Sequence, residues 1–225
     1  MASTDRYRRP SDLPLQLPVF PLRGTILLPR AGLPLNVFEP RYLAMLDDVI
    51  AGPRVLGLVQ PVPGEDGESP PGKSIGLRRV GCAGRVTAFQ ELDDGRLVIS
   101  LTGICRFDVV EEISTPKPYR IVEARYDRFA ADLSEGHGED DVDRGNLLRV
   151  LRSYLDANRL KADWSAIQRS PSELLVNALS VMSPYGAEEK QALLEAADLK
   201  TRADVLVALA EMELASTSGT GGTVQ

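Results

Sequence analysis

The sequence predicts an α+β protein in which a β-rich N-terminal half precedes a bundle of helices. Between residues 13 and 131, short runs rich in Val, Ile and Leu are broken by Pro and Gly, as in strands joined by turns. Across residues 144–215 the apolar residues instead recur at the spacing of amphipathic helices. An acidic, glycine-containing run, 132–143, separates the two patterns and is predicted to link two subdomains.

The clearest β pattern lies between Ile75 and Ile113. Residues 85–90 alternate, Asp93-Asp94-Gly95 supplies turn residues, and an extended pattern follows, so this stretch predicts a hairpin. Gly103 is predicted to interrupt the second strand, and a last strand is expected over residues 119–126. Together these segments predict an antiparallel sheet that curls.

Helices are predicted in both halves. Residues 40–50 begin with a proline, which suits a first helical turn, and continue with apolar residues at helical spacing. In the second half, Ser170 is predicted to cap a helix that has Pro171 at its first position. Two more helices are expected over residues 188–197 and 201–215. The predicted apolar stripes of the bundle are Leu147, Leu148, Leu151, Tyr154 and Leu155, and Leu174, Leu175, Ala178, Leu179 and Met182.

Composition and charge exclude several classes of protein. The chain has 225 residues, 43% of them apolar, with 26 Lys and Arg against 32 Asp and Glu. This balance argues against a general nucleic-acid binder, which needs a basic excess. No apolar run reaches the ~20 residues of a membrane span, and no secretory signal is recognisable, so a cytoplasmic protein without a membrane partner is predicted. The polar ends, 1–12 and 216–225, are predicted to be disordered.

The sequence predicts no catalytic residue, cofactor or metal site. Cys82 and Cys105 lack neighbours at metal-ligand spacing and are interpreted as core residues. His137, the sole histidine, lies between glycines in the acidic run, where it is expected to be solvated. Asp93 and Asp94 are interpreted as turn formers. The five lysines lie in polar surroundings and are assigned to the surface: Lys73, Lys117, Lys161, Lys190 and Lys200.

Residues Gly67 to Ser74 match the phosphate-binding pattern GxxxxGK[ST]. That pattern requires a preceding strand and a following helix whose N-terminal amides bind the phosphates. Here Pro70 and Pro71 remove two amide donors, and the residues that follow are typical of a strand. We therefore interpret the match as accidental.

A candidate binding site lies at the predicted junction between a strand and the first helix. Its residues are Phe38, Glu39, Pro40, Arg41, Tyr42 and Met45. If exposed, this apolar cluster would suit an apolar peptide segment. The alternative is packing in the core, which is the commoner role for such residues.

Several blocks resemble the N-terminal substrate-binding domain of Lon proteases, in particular its small stand-alone bacterial members. They are Leu17-Pro-Val-Phe-Pro-Leu-Arg23, Val37-Phe-Glu-Pro-Arg-Tyr42, Gly103-Ile-Cys-Arg-Phe107 and Gln191-Ala-Leu-Leu-Glu195. The resemblance extends from about Leu13 to Leu214. It implies a partly closed, PUA-like sheet followed by a helical bundle, and it places residues 61–74 in a variable connection. It also implies that the ATPase and Ser-Lys protease modules of full-length Lon lie outside this region.

The resemblance implies recognition of unfolded or damaged polypeptides rather than catalysis. Our hypothesis is therefore a non-catalytic polypeptide-binding module, acting as an adaptor for clients or for a protease or chaperone partner. One alternative is a small-ligand sensor, because a curled sheet can enclose a pocket. A second alternative is a nucleotide hydrolase that uses residues 67–74. The sequence leaves the client and the oligomeric state open.

Overall fold

A computed structural model of the chain describes residue 4, residues 6–62 and residues 76–219. Within these residues, a mixed six-stranded sheet fills the N-terminal half, and most of the helices lie in the C-terminal half. The α+β class predicted from the sequence is therefore confirmed.

The strands are β1 (Gln16–Pro21), β2 (Gly32–Val37), β3 (Val55–Pro61), β4 (Leu77–Glu91), β5 (Leu97–Ile113) and β6 (Arg120–Arg125). The helices are α1 (Pro40–Ala51), α2 (Arg144–Ala157), α3 (Trp164–Arg169), α4 (Ser172–Met182), α5 (Ala187–Glu195) and α6 (Leu199–Gly219). The predicted helix over residues 40–50 and the predicted hairpin around residues 93–95 are both present.

The sheet curls until its ends meet. The strand order is β2-β5-β4-β3-β1-β6, and β6 also pairs with β5. This double pairing is possible because β5 is long: Leu97–Thr102 pairs with β2, whereas Asp108–Ile113 pairs with β6. Five of the strands therefore form a closed ring, with β2 attached at its edge. Because β2 lies outside the ring, the sheet as a whole is partly closed, as the resemblance implies.

Gly103 does not interrupt β5, contrary to the sequence prediction. The strand runs through it, and a Cβ atom at this position would lie 1.9 Å from the carbonyl oxygen of Leu28. The glycine is needed because the segment before β2 crosses the strand closely, with Pro29 bridged to Gly103. Gly81 is required for a similar reason, because a Cβ atom there would lie 2.7 Å from the carbonyl oxygen of Leu58 and 2.7 Å from the buried ring of Phe107.

Sheet and helices share one hydrophobic core. A continuous cluster of buried side chains joins Leu17 and Phe107 of the sheet to Leu147, Val176 and Leu193 of the helices. The predicted division into units 13–131 and 144–215 stays a prediction, since the two sets of elements are packed together.

The segments predicted to be irregular are partly built into the fold. Tyr7 is buried and its hydroxyl lies 3.1 Å from Nη1 of Arg85, so the prediction of disorder over 1–12 is wrong for residues 6–12. Residues 6–12 are ordered because burial of the Tyr7 ring stabilises the segment, although the neighbouring residues are polar. The run 132–143 likewise contains a short 3₁₀ helix, Glu139–Asp141, rather than a free tether. At the other end, α6 continues to Gly219.

The start of α4 also differs from the prediction. Pro171, not Ser170, is the N-cap residue. The hydroxyl of Ser170 instead donates to the carbonyl oxygen of Ala166 at the end of α3. A carboxylate oxygen of Glu139 accepts from the backbone N–H of Glu173, 2.7 Å away, so the acidic run satisfies a free amide of α4.

Candidate functional site

The structure divides the predicted junction site between the surface and the core. Phe38 is 64% exposed, whereas Tyr42 and Met45 are buried. The ring of Tyr42 packs against Phe20 with 4.2 Å between centroids, and its burial raises its pKa. Tyr42 and Met45 are therefore core residues, and the candidate surface at this junction is reduced to residues 38–41.

The charged residues of the junction form a local ion pair. Nη2 of Arg41 lies 2.8 Å from Oε2 of Glu39, and the guanidinium also stacks 4.5 Å from the ring centroid of Tyr42. Pro40 occupies the first turn of α1, with Glu39 as the N-cap residue. Since both charges are about half exposed, the pair contributes only about 0–1 kcal/mol. The pair is therefore a weak local contact at the start of α1.

A second apolar surface, which we call the bundle groove, lies between α2, α4 and α6. Its volume is about 380 Å³. Its lining residues are Leu147, Val150, Leu151, Tyr154, Leu155, Asn158, Leu160, Leu179, Met182, Ser183, Pro184, Tyr185, Leu206, Val207, Ala210 and Glu213. Most of these side chains are aliphatic, with a few polar groups among them, the composition typical of a binding pocket.

The exposed and polar groups of the bundle groove define what it can bind. Met182 is 78% exposed, and Leu160 is also exposed, so apolar side chains line its edge. The hydroxyl of Tyr154 lies 3.5 Å from Oε1 of Glu213. Burial raises the pKa of Tyr185 to about 12, so this phenol stays neutral near pH 7. The groove therefore offers apolar contact with a few hydrogen-bonding groups.

Sequence periodicity did not identify the bundle groove. It places Tyr154 and Met182 in apolar stripes that predict a helical bundle, but it does not show that Leu174 and Met182 are exposed at the edge of that bundle. Helical spacing reports which residues share a face, but not whether neighbouring helices close over the end of that face. Pro184 and Leu160 lie in the connections beside the helix ends, and they are the sequence features from which the bundle groove could have been predicted.

Charged side chains lie in the interface between the helices and the sheet. Arg106 of β5 binds Asp132, Arg202 of α6 binds Asn177 of α4, and Nδ2 of Asn177 donates to the carbonyl oxygen of Pro29. Lys190 is also buried, contrary to its assignment to the surface. Its Nζ donates to the carbonyl oxygens of Ser180 and Val181 at the end of α4, and burial lowers its pKa to about 8.

Other predicted candidates lie apart from these surfaces. Cys82 and Cys105 are free and buried, and burial raises the pKa of both thiols. His137 is exposed. Residues 6–62 and 76–219 contain no group of three or more His, Cys, Asp or Glu placed to hold a metal ion, nor a helix long and apolar enough to span a membrane. The pattern at residues 67–74 lies outside the described residues.

Comparison with known proteins places this arrangement in a family. A model of the ATP-dependent protease La (LON) substrate-binding domain matches residues 16–211. The Lon protease of Flavobacterium johnsoniae is 28% identical over 196 residues, which are 85% of this chain but 23% of that protein. The Lon protease of Dictyoglomus thermophilum is 28% identical over 204 residues, 85% of this chain and 24% of its own length. The chain thus spans about a quarter of the length of these relatives.

Solved structures show the same fold. The crystal structure of a Lon N-terminal domain protein from Xanthomonas campestris superposes with a TM-score of 0.60 at 23% identity, covering 86% of this chain and 97% of that one. The N-terminal domain of the Mycobacterium avium complex Lon protease gives a TM-score of 0.63 at 18% identity, covering 87% and 98%.

Proposed function

The chain belongs to the family of ATP-dependent protease La (LON) substrate-binding domains, and from this premise we propose that it binds exposed apolar segments of unfolded or damaged polypeptides without acting on them chemically. The region shared with the longer Lon proteases is matched by a model of the substrate-binding domain. We therefore propose polypeptide binding for this chain, and we propose neither ATP hydrolysis nor peptide cleavage.

The observation that carries the proposal is the bundle groove. Its aliphatic walls and the exposed side chain of Met182 supply contact for apolar side chains that an unfolded chain exposes and a folded protein buries. Tyr154, Asn158 and Glu213 add polar atoms that can bond the backbone of a bound segment. Few contacts of this kind depend on the order of residues in the client, so many clients would be accepted.

We further propose an adaptor role in the cytoplasm, in which the chain delivers clients to a protease or chaperone partner or withholds them. Phe38 is a candidate for the partner contact, because it is an exposed aromatic held beside the rigid start of α1. The bundle groove would then remain available to the client.

A titration of labelled, permanently unfolded polypeptides tests the proposal. Fluorescence anisotropy of reduced, carboxymethylated α-lactalbumin should rise saturably with added protein, and the native, disulfide-bonded form should bind much more weakly. Absence of binding at high micromolar concentration, with the protein shown to be folded by circular dichroism, would reject polypeptide binding.

A small-ligand sensor is the second candidate function, favoured by the volume of the bundle groove. About 380 Å³ lies within the range of roughly 300–1,000 Å³ typical of ligand pockets. Thermal unfolding against a panel of metabolites separates the two functions. A single ligand that raises the midpoint and competes with α-lactalbumin would favour the sensor.

A further inference from the structure

The bundle groove holds a negative charge. Among the described residues that line it, the charged side chain is Glu213 of α6, and the same lining contains no Lys, Arg or His. Glu213 is half-buried. A charge in mainly apolar surroundings is screened less by solvent than one on the open surface, so it acts on any group that enters the groove.

Two tyrosines line the groove together with Glu213. The hydroxyl of Tyr154 lies 3.5 Å from Oε1 of Glu213. Burial raises the pKa of both Tyr154 and Tyr185, and the negative charge of Glu213 contributes to the rise in each. Both phenols therefore stay neutral near pH 7. The face of a neutral aromatic ring attracts a cation, so the two rings and the carboxylate together favour a positively charged group.

The cations of the neighbouring helices have contacts outside the groove. Nη2 of Arg149 on α2 lies 3.1 Å from Oε1 of Glu211, and the guanidinium of Arg152 stacks 4.5 Å from the ring centroid of Trp164. Lys190 is bound to the last carbonyl oxygens of α4. None of these three cations lines the groove. A cation inside the groove would therefore come from the bound molecule.

The end of α2 adds to the negative potential of the groove. Asn158, the C-cap residue of α2, is one of the lining residues. The C-terminal end of a helix carries a partial negative charge that favours a nearby cation. The end of α4 contributes less, because Lys190 already binds its carbonyl oxygens.

We propose that the bundle groove selects polypeptide segments in which a Lys or Arg is flanked by apolar residues, and that Glu213, Tyr154 and Tyr185 hold the cation. This inference rests on the proposed polypeptide binding and specifies its substrate class. The stem of a Lys or Arg is apolar, so it can lie along the aliphatic wall while its charged end meets Glu213. A segment with an acidic residue at this point is disfavoured by repulsion between like charges.

Two labelled peptides test this selection. Each is a short, unfolded chain of Leu, Ala and Ser with one central lysine, which is free in the first peptide and acetylated on Nζ in the second. Acetylation removes the charge and retains the stem, so the ratio of the two dissociation constants isolates the contribution of the cation. Anisotropy titrations at low salt should show that the peptide with the free lysine binds about tenfold more tightly.

Substitution of two glutamates on α6 assigns the effect to a side chain. Glu213→Gln should bring the two dissociation constants within about twofold of each other, because it removes the charge and keeps an oxygen for Tyr154. Glu211→Gln is the matched control and should keep the wild-type ratio, since Glu211 is exposed on the same helix and does not line the groove. Salt supplies a readout that needs no variant: the ratio should shrink as sodium chloride rises, because ions screen the attraction between the charges.

Equal affinity of the wild type for the two peptides, a ratio that salt does not change, or the same loss of the ratio in both variants would overturn the selection and leave polypeptide binding intact. Failure of both peptides to bind would overturn it as well, and the α-lactalbumin titration would then show whether polypeptide binding fails with it.

Discussion

Asp132 binds Arg106 through both carboxylate oxygens, with Oδ2 2.8 Å from Nε and Oδ1 2.8 Å from Nη2, and the two side chains are only 9% and 4% exposed. Asp132 belongs to the acidic run, whereas Arg106 belongs to β5. The pair therefore fastens the connection between the two halves to the sheet. Removing the charge of one partner leaves the other buried and unpaired, which costs more than the pair contributes.

Asp132→Asn should lower the free energy of unfolding by about 3–5 kcal/mol, because the guanidinium of Arg106 stays buried without its counter-charge. Urea denaturation followed by circular dichroism measures this change. The matched control is Asp140→Asn, an exposed aspartate of the same run, for which a change within about 0.5 kcal/mol is expected. Equal effects of the two substitutions would show that the Arg106 pair does not fasten the run.

Lys190 should make stability increase with pH above about 8. Its pKa is lowered to about 8 in the folded protein, below the ordinary value of 10.5, so the unfolded state binds more protons between these values. Stability therefore rises as pH increases through this window, by up to about 3 kcal/mol. The neutral amine keeps donors for the carbonyl oxygens of Ser180 and Val181.

The measurement for Lys190 is the difference in unfolding free energy between the wild type and Lys190→Met at pH 7 and pH 9.5. The wild type should gain stability relative to Lys190→Met at the higher pH. Ionisation of the tyrosines contributes equally to both proteins, so it does not affect the difference. Lys161→Met, at an exposed lysine, is the control and should follow the wild type at both pH values. A difference that does not change with pH would contradict the lowered pKa.

Met182→Glu should weaken binding of unfolded polypeptide by about tenfold or more, because it places a charge on the apolar edge of the bundle groove. Met212→Glu is a close control, since Met212 is 70% exposed on α6 but does not line the groove. Anisotropy titrations with carboxymethylated α-lactalbumin measure both. Equal loss in the two variants would point to a general effect of charge instead of to the groove.

Substitution of Tyr42 and of Phe38, the buried and the exposed aromatic of the junction, should change the free energy of unfolding by different amounts. Tyr42→Ala should lower the free energy of unfolding by about 3 kcal/mol, since it removes a buried ring that packs on Phe20. Phe38→Ala should change it by less than about 0.5 kcal/mol, because that ring is exposed. Urea denaturation of the two variants is the measurement, and a large loss for Phe38→Ala would assign Phe38 to packing.

The elements were predictable where local sequence chemistry determines them. Pro40 at the start of α1 and the Asp93-Asp94-Gly95 turn fix local backbone geometry, so the helix and the hairpin both appear where the sequence predicts them. The role of Gly103 was not predictable, because its glycine is required by the carbonyl oxygen of Leu28, which lies 75 positions away in the sequence. Composition alone cannot report such a long-range contact.

The sites were less predictable than the fold. Phe38 and Tyr42 lie four residues apart in one motif, but Tyr42 packs against Phe20 in the core whereas Phe38 is exposed. Lys190 and Arg202 look like surface residues in the sequence, because their buried acceptors are backbone carbonyls and an asparagine on other helices. Periodicity predicts a face of a helix, whereas tertiary packing decides whether that face is covered.

Amide hydrogen exchange of the whole chain, with and without saturating carboxymethylated α-lactalbumin, tests polypeptide binding by the bundle groove most directly. We predict slower exchange at the C-terminal ends of α2 and α4 and in the facing residues of α6, with the ring of strands unchanged. Unchanged exchange throughout these three helices, under conditions where anisotropy reports saturation, would contradict binding at the groove.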